Sequence, residues 1–126
     1  MLVIRDDQYH KLQEAVEHNL VKRIAKDIRK HYTQLVSDID DNQLEDLVSR
    51  GIGCARANGF TFENDLADFV GLMFLVAPNF DQHPTVIKAL QEKYILPENR
   101  MGYLLRVVKD SEWIEARENW DGITWV

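Results

Sequence analysis

His10, Glu14 and His18 recur at i, i+4 and i+8, a spacing that puts two imidazoles and a carboxylate on one helix face, within reach of a metal ion. Asp27 and His31 make a second i, i+4 pair. Neither set has the order His-Glu-x-x-His of zinc hydrolases or the paired Glu-x-x-His of di-iron bundles, so exposed carboxylate–imidazole pairs are expected and no metal ligand or cofactor is assigned. Asp38, Asp40 and Asn42 imitate the first three ligand positions of a calcium loop. Gln43 then stands where the loop needs glycine, and Ser49 where it needs a bidentate glutamate, so a polar turn that caps a helix is the expectation. Cys54 lies in the run IGCARA without a neighbouring histidine and reads as a small core residue. No serine elbow, phosphate-cradling glycine loop or dinucleotide fingerprint is present. No catalytic residue is therefore assigned, and a metal-dependent helical enzyme is only the third reading.

These side chains must ride on helices. After Asp6 or Asp7, apolar residues recur at Tyr9, Leu12, Val16, Leu20, Ile24, Ile28 and Leu35, which predicts an amphipathic helix over about 7–36. Its polar face carries Lys22, Arg23, Lys26, Arg29 and Lys30 toward the C-terminal end, where cations suit the helix dipole. Asp40 with Gln43 three residues on resembles a capping box, and Leu44, Leu47, Val48, Ile52 and Ala55 supply the buried stripe of the next helix. Gly59 suits the residue just past its end. Gly51 and Gly53 each cost a helix roughly 1 kcal/mol relative to alanine, a cost that close helix approach through Gly51, Cys54 and Ala55 would offset.

Thr61 is placed to cap a third helix with Glu63 and Asp65 in its first turn, and Leu66, Phe69, Val70, Met73, Phe74 and Ala77 as a wide apolar face. Pro78 stops it, giving a central hairpin over about 41–77. Asn79 to His83 reads as a loop before Pro84, which fits the first position of a fourth helix running to about Tyr94. Pro97 is read as opening a fifth helix with Met101, Leu104, Leu105 and Val108 inward, and Asp110-Ser111 a sixth with Trp113, Ala116 and Trp120, ahead of a short tail. The C-terminal helices thus cover about 84–120. The expected fold is all-α: one bundle-like domain of five to six helices spanning 1–126.

Composition narrows the function classes. A net charge of −6 and a pI near 5.1 oppose attraction to phosphate backbones and anionic lipid. Ala55 and Gly59 have helix-turn-helix spacing, but the following helix carries Glu63, Asp65 and Asp68 with no Lys or Arg, which excludes it as a DNA reader. No run approaches the roughly 18 apolar residues of a membrane span, the N-terminus has no signal-type apolar region, and a lone cysteine forms no internal disulfide, so a cytoplasmic protein is expected. Charge is uneven. Residues 1–31 hold seven Lys/Arg against five Asp/Glu, and residues 32–126 hold eight against sixteen. Such a pattern steers protein partners. Candidate contact residues are Lys22, Arg23, Lys26 and Arg29 on the first helix, Phe80 and Asp81 in the loop, and Trp125 in the tail. The apolar helix faces also allow a symmetric homodimer.

Between Arg50 and Pro84 the residues Arg50, Gly51, Ile52, Ala55, Arg56, Gly59, Phe60, Glu63, Asp65, Phe69, Leu72, Met73, Phe74, Pro78, Phe80, Asp81 and Pro84 form a pattern. It resembles that of small helical proteins encoded with bacterial type VI secretion effector modules. The resemblance covers about the central third of the chain, with a weaker echo in the first helix. It implies a non-catalytic adaptor or chaperone that binds an effector or spike component, with an immunity protein as the alternative. It transfers no catalytic residues.

Overall fold

The structure, a computed structural model, describes residues 5–120. They fold into six α-helices with no strand: α1 (Asp6–His31), α2 (Asp41–Ala57), α3 (Glu63–Leu75), α4 (Pro84–Leu90), α5 (Arg100–Val107) and α6 (Asp110–Glu118). Tight 3-10 turns at Thr33–Val36, Phe80–Gln82 and Pro97–Asn99 join some of them. The tail after Trp120, including Trp125, lies outside the described residues.

Local chemistry sets most boundaries. The Asp40 carboxylate accepts from the Gln43 amide at 2.8 Å while the Gln43 side chain accepts from the Asp40 amide at 3.0 Å, the reciprocal box the sequence anticipates. Gly59 follows α2 at φ +89°, a left-handed conformation open to glycine. The expected Thr61 cap is not used. α3 starts at Glu63, so the flanking residue is Phe62, which has no side-chain oxygen to offer. Pro84 opens α4 as expected, and the helix ends at Leu90, short of Tyr94, which is almost fully exposed. Pro97 begins a 3-10 turn, and α5 starts after it, at Arg100.

The core is built on the α2–α3 hairpin, with α1 laid along α2. Glu17 pairs with Arg56 and Arg29 with Asp41, so α1 and α2 run antiparallel; Arg23 meets Glu63, so α3 runs alongside α1. A Cβ built on Gly51 would stand 2.9 Å from a Val70 methyl and 3.3 Å from the Met73 sulfur. This is the close approach that justifies a glycine in mid-helix. Gly53, two residues on, faces open space with nothing within 4 Å of its would-be Cβ. Gly53→Ala should accordingly raise stability by about 0.5–1 kcal/mol in urea titration, whereas Gly51→Ala should lower it.

Phe60, Phe69, Phe80 and Trp113 form a chain of tilted rings with centroids 5.7, 4.8 and 6.0 Å apart, which ties α6 and the Phe80–Gln82 turn to the hairpin. Two expectations about the apolar faces are corrected. Leu105 points outward at 47% exposure, because the inward stripe of α5 runs through Met101, Leu104 and Val108 instead. In α1 the helix stops at His31, and only Leu20, Val21, Ile24, Ala25 and Ile28 are buried; Tyr9, Leu12, Val16 and Leu35 are about half exposed. The reason is length. α2 ends opposite Glu17 and α3 begins opposite Arg23, so nothing among the described residues lies against the helix before that point.

Candidate partner-binding surface

The part of α1 that projects, residues 6–16, is exposed along its whole length and rises about 16 Å. Tyr9, Leu12 and Val16 follow the three- and four-residue steps of one helix face, so their half-exposed side chains make an apolar stripe. Where this arm joins the bundle, an open groove of roughly 970 Å³ is lined by Leu12, Val16 and Val21 together with Glu14, Glu17, Glu45, Asp46 and Arg56. Two carboxylates there are already engaged. Glu17 holds Arg56 through paired hydrogen bonds of 2.8 and 2.9 Å, and Asp46 meets Arg50 at 3.2 Å. Glu14 and Glu45 have no ion pair among the described residues.

The structure divides the sequence-derived contact residues. Lys22 and Lys26 are exposed on α1, free of ion pairs among the described residues, and are available to a partner. Arg23 is exposed but reaches Glu63 at 3.5 Å. Arg29 turns inward: its guanidinium donates to the Val36 and Ile39 carbonyls at 2.7 and 3.0 Å and to Asp41 at 2.9 Å, fixing the segment between α1 and α2. Arg29→Ala should thus cost about 1–3 kcal/mol, read by thermal melting, while charge reversal at Lys22 and Lys26 stays within about 0.5 kcal/mol. Phe80 is 1% exposed between Phe69 and Trp113, so it is a core residue and not a contact; its turn swings the ring inward. Asp81 is half-buried and accepts from the Asn58 side chain at 3.2 Å.

Some groups suited to chemistry are exposed and others serve the fold. Histidines 10 and 18 and Glu14 are exposed on the arm, and among the described residues no three His, Cys, Asp or Glu side chains converge on a metal position. Burial, and then Asp81, push the Cys54 thiol up, away from the reactive thiolate. The one buried polar side chain among the described residues, His83, caps α4: its Nδ1 accepts from the Thr85 amide at 3.2 Å, which leaves Nε2 to donate to Glu115 at 3.0 Å. Both ring nitrogens are thereby used. Next to it Glu112 accepts from the Thr85 hydroxyl and, at 3.0 Å, from the Lys109 amide.

The Thr85 hydrogen bond, then that of Lys109, holds the Glu112 carboxyl below the usual carboxylate range. The unfolded chain takes up this proton more readily, so the stabilisation is present above pH 4.5 and is lost as pH falls through the lower folded value. Glu112→Gln should therefore flatten the acid limb of a stability–pH profile and leave its alkaline limb alone.

Sequence reasoning passed over Arg100, Glu45 and Asp46. Arg100 reaches back over the hairpin, donating to the Asn58 and Leu90 carbonyls at 2.9 and 3.2 Å with its guanidinium 4.6 Å from the Phe60 ring centroid. No local pattern announces such a contact. Glu45, half-buried, and Asp46, exposed, are carboxylates of α2 that read in the sequence as a solvated face. Compared with known protein families, with curated proteins and with solved structures, the chain matches none.

Proposed function

We propose that this protein is a non-catalytic protein-binding accessory, an adaptor or chaperone for a bacterial type VI secretion effector or spike component. The observation that carries the binding role is the apolar stripe Tyr9, Leu12 and Val16, half exposed on an arm against which no other described residue packs. Apolar side chains aligned on an exposed helix are what a protein partner covers. The engagement of His83, Cys54 and Arg29 in caps, core and clips supports binding over turnover. The link to secretion rests on the resemblance of Arg50 to Pro84, whose Gly59, Phe60, Phe69, Met73 and Phe80 serve this fold as turn and core. No helix among the described residues is long and apolar enough to cross a membrane.

The carboxylates along the groove favour a second reading, an immunity protein that covers a basic toxin. The two are told apart by co-expression. An adaptor or chaperone raises the solubility or delivery of its effector without abolishing its activity; an immunity protein protects a cell that makes the toxin alone. Capture from the producing bacterium at low and moderate salt, with identification by mass spectrometry, tests both. Recovery of a spike component or toxin is the expected result, and recovery of this chain alone would overturn both.

A further inference from the structure

We infer that the groove where the projecting half of α1 joins α2 receives a cationic amphipathic helix of the partner protein, an inference that rests on the protein-binding reading above. Three features of the groove select this occupant. Leu12, Val16 and Val21 give it apolar walls, which call for an apolar stripe in return. Four carboxylates line it, Glu14, Glu17, Glu45 and Asp46, against the imidazole of His18 and the guanidinium of Arg56, which Glu17 already holds in a fork. With Asp46 drawn to Arg50, Glu14 and Glu45 have no ion pair among the described residues, Glu45 lying beside Lys22 and Lys26 at the far end of the groove, so lysine or arginine next to the apolar stripe finds an unpaired carboxylate at Glu14.

The third feature is the backbone. Both walls are helices whose amides and carbonyls are spent within the helix, so they offer no sheet edge to an extended peptide. A ligand that meets only side chains must satisfy its own backbone, as a helix does. A helix laid between two antiparallel helices also packs by ridges and grooves at ordinary interhelical distance. Anionic lipid and nucleic acid are repelled by the same carboxylates.

The test is a fluorescence anisotropy titration of the full chain with a labelled short peptide of Leu and Lys at helical spacing. Counterparts carry Glu for every Lys, or the same residues scrambled out of helical period. Saturable binding of the Leu/Lys peptide is expected, weakened tenfold or more by Glu14→Lys with Glu45→Lys and, separately, by Leu12→Ser with Val16→Ser. Reversal of the exposed pair Glu92→Lys with Glu98→Lys, the same change in net charge elsewhere, should leave it within twofold. All these positions are on the surface or half-buried, and circular dichroism with a melt confirms each variant's fold.

Equal weakening by the Glu92/Glu98 pair would overturn the inference, since net charge alone would then explain binding, as would equal affinity for the Glu or scrambled peptides. Self-association that disappears in the Glu14/Glu45 variant and excludes the peptide would also overturn it, assigning the groove to a second copy of this chain. A natural partner still captured by the Glu14/Glu45 variant removes the groove while the protein-binding reading stands.

Discussion

Phe69→Ala loses about 3–5 kcal/mol of folding free energy, the usual cost of emptying a large aromatic site that cannot collapse. Phe69 is fully buried and stands in the middle of the ring chain, 5.7 Å from Phe60 and 4.8 Å from Phe80. Its removal takes contacts from the turn between α2 and α3 and from the 80–82 turn together, so the surroundings have no single direction in which to close the hole. For a domain of this size each kcal/mol shifts Tm by roughly 3–6 °C, so the drop should be on the order of 10–30 °C. Tyr94→Ala is the control. That ring is 93% exposed, and its removal should stay within about 0.5 kcal/mol.

Gly59→Ala is the second large loss, expected at about 2–4 kcal/mol. Two separate costs add. At φ +89° a side chain is strained whatever the space around it, and the new Cβ would stand 2.7 Å from the Arg100 Nη1. Arg100 cannot step aside freely, because it bonds the carbonyls of Asn58 and Leu90 and covers the Phe60 ring. A double-mutant cycle separates the terms. In an Arg100→Ala background the clash is gone, and Gly59→Ala should cost only the backbone strain, about 1–2 kcal/mol. An unchanged cost in that background would show that Arg100 does not bear on the turn.

These two sites also show what the sequence can and cannot tell. Gly59, the Asp40–Gln43 box and Pro84 are legible because each is a local device, complete within a few residues. Periodicity found the buried stripes of α2 and α3 for the same reason. It overreached in α1, where Tyr9, Leu12 and Val16 share a helix face with residues that pack further along, yet the lengths of α2 and α3 decide where the packing stops. A period states which residues share a face; it does not state what reaches that face.

Phe80 and Arg29 fail in the opposite direction. Both sit in stretches that read as polar surface, and both are drawn inward by partners made near only by folding: the rings of Phe69 and Trp113, and the carbonyls of Val36 and Ile39. An aromatic in an otherwise polar loop was the available sign that the loop folds back. Arg29 carried no such sign, since an arginine on a basic helix face looks the same whether it meets water or a carbonyl. The candidate surface was therefore half legible. Lys22 and Lys26 remain on it, while the bare arm and the carboxylates of the groove emerge only when the end of α2 is seen to stand opposite Glu17.

The measurement closest to the central claim is affinity capture from the producing bacterium, run in parallel with the wild-type chain and with Leu12→Asp combined with Val16→Asp. Both positions are about half exposed and clear of the core, so the two proteins should melt alike. A protein partner retained by the wild type and absent from the double variant is the expected result. The same proteins retained equally by both would contradict a docking role for the first helix.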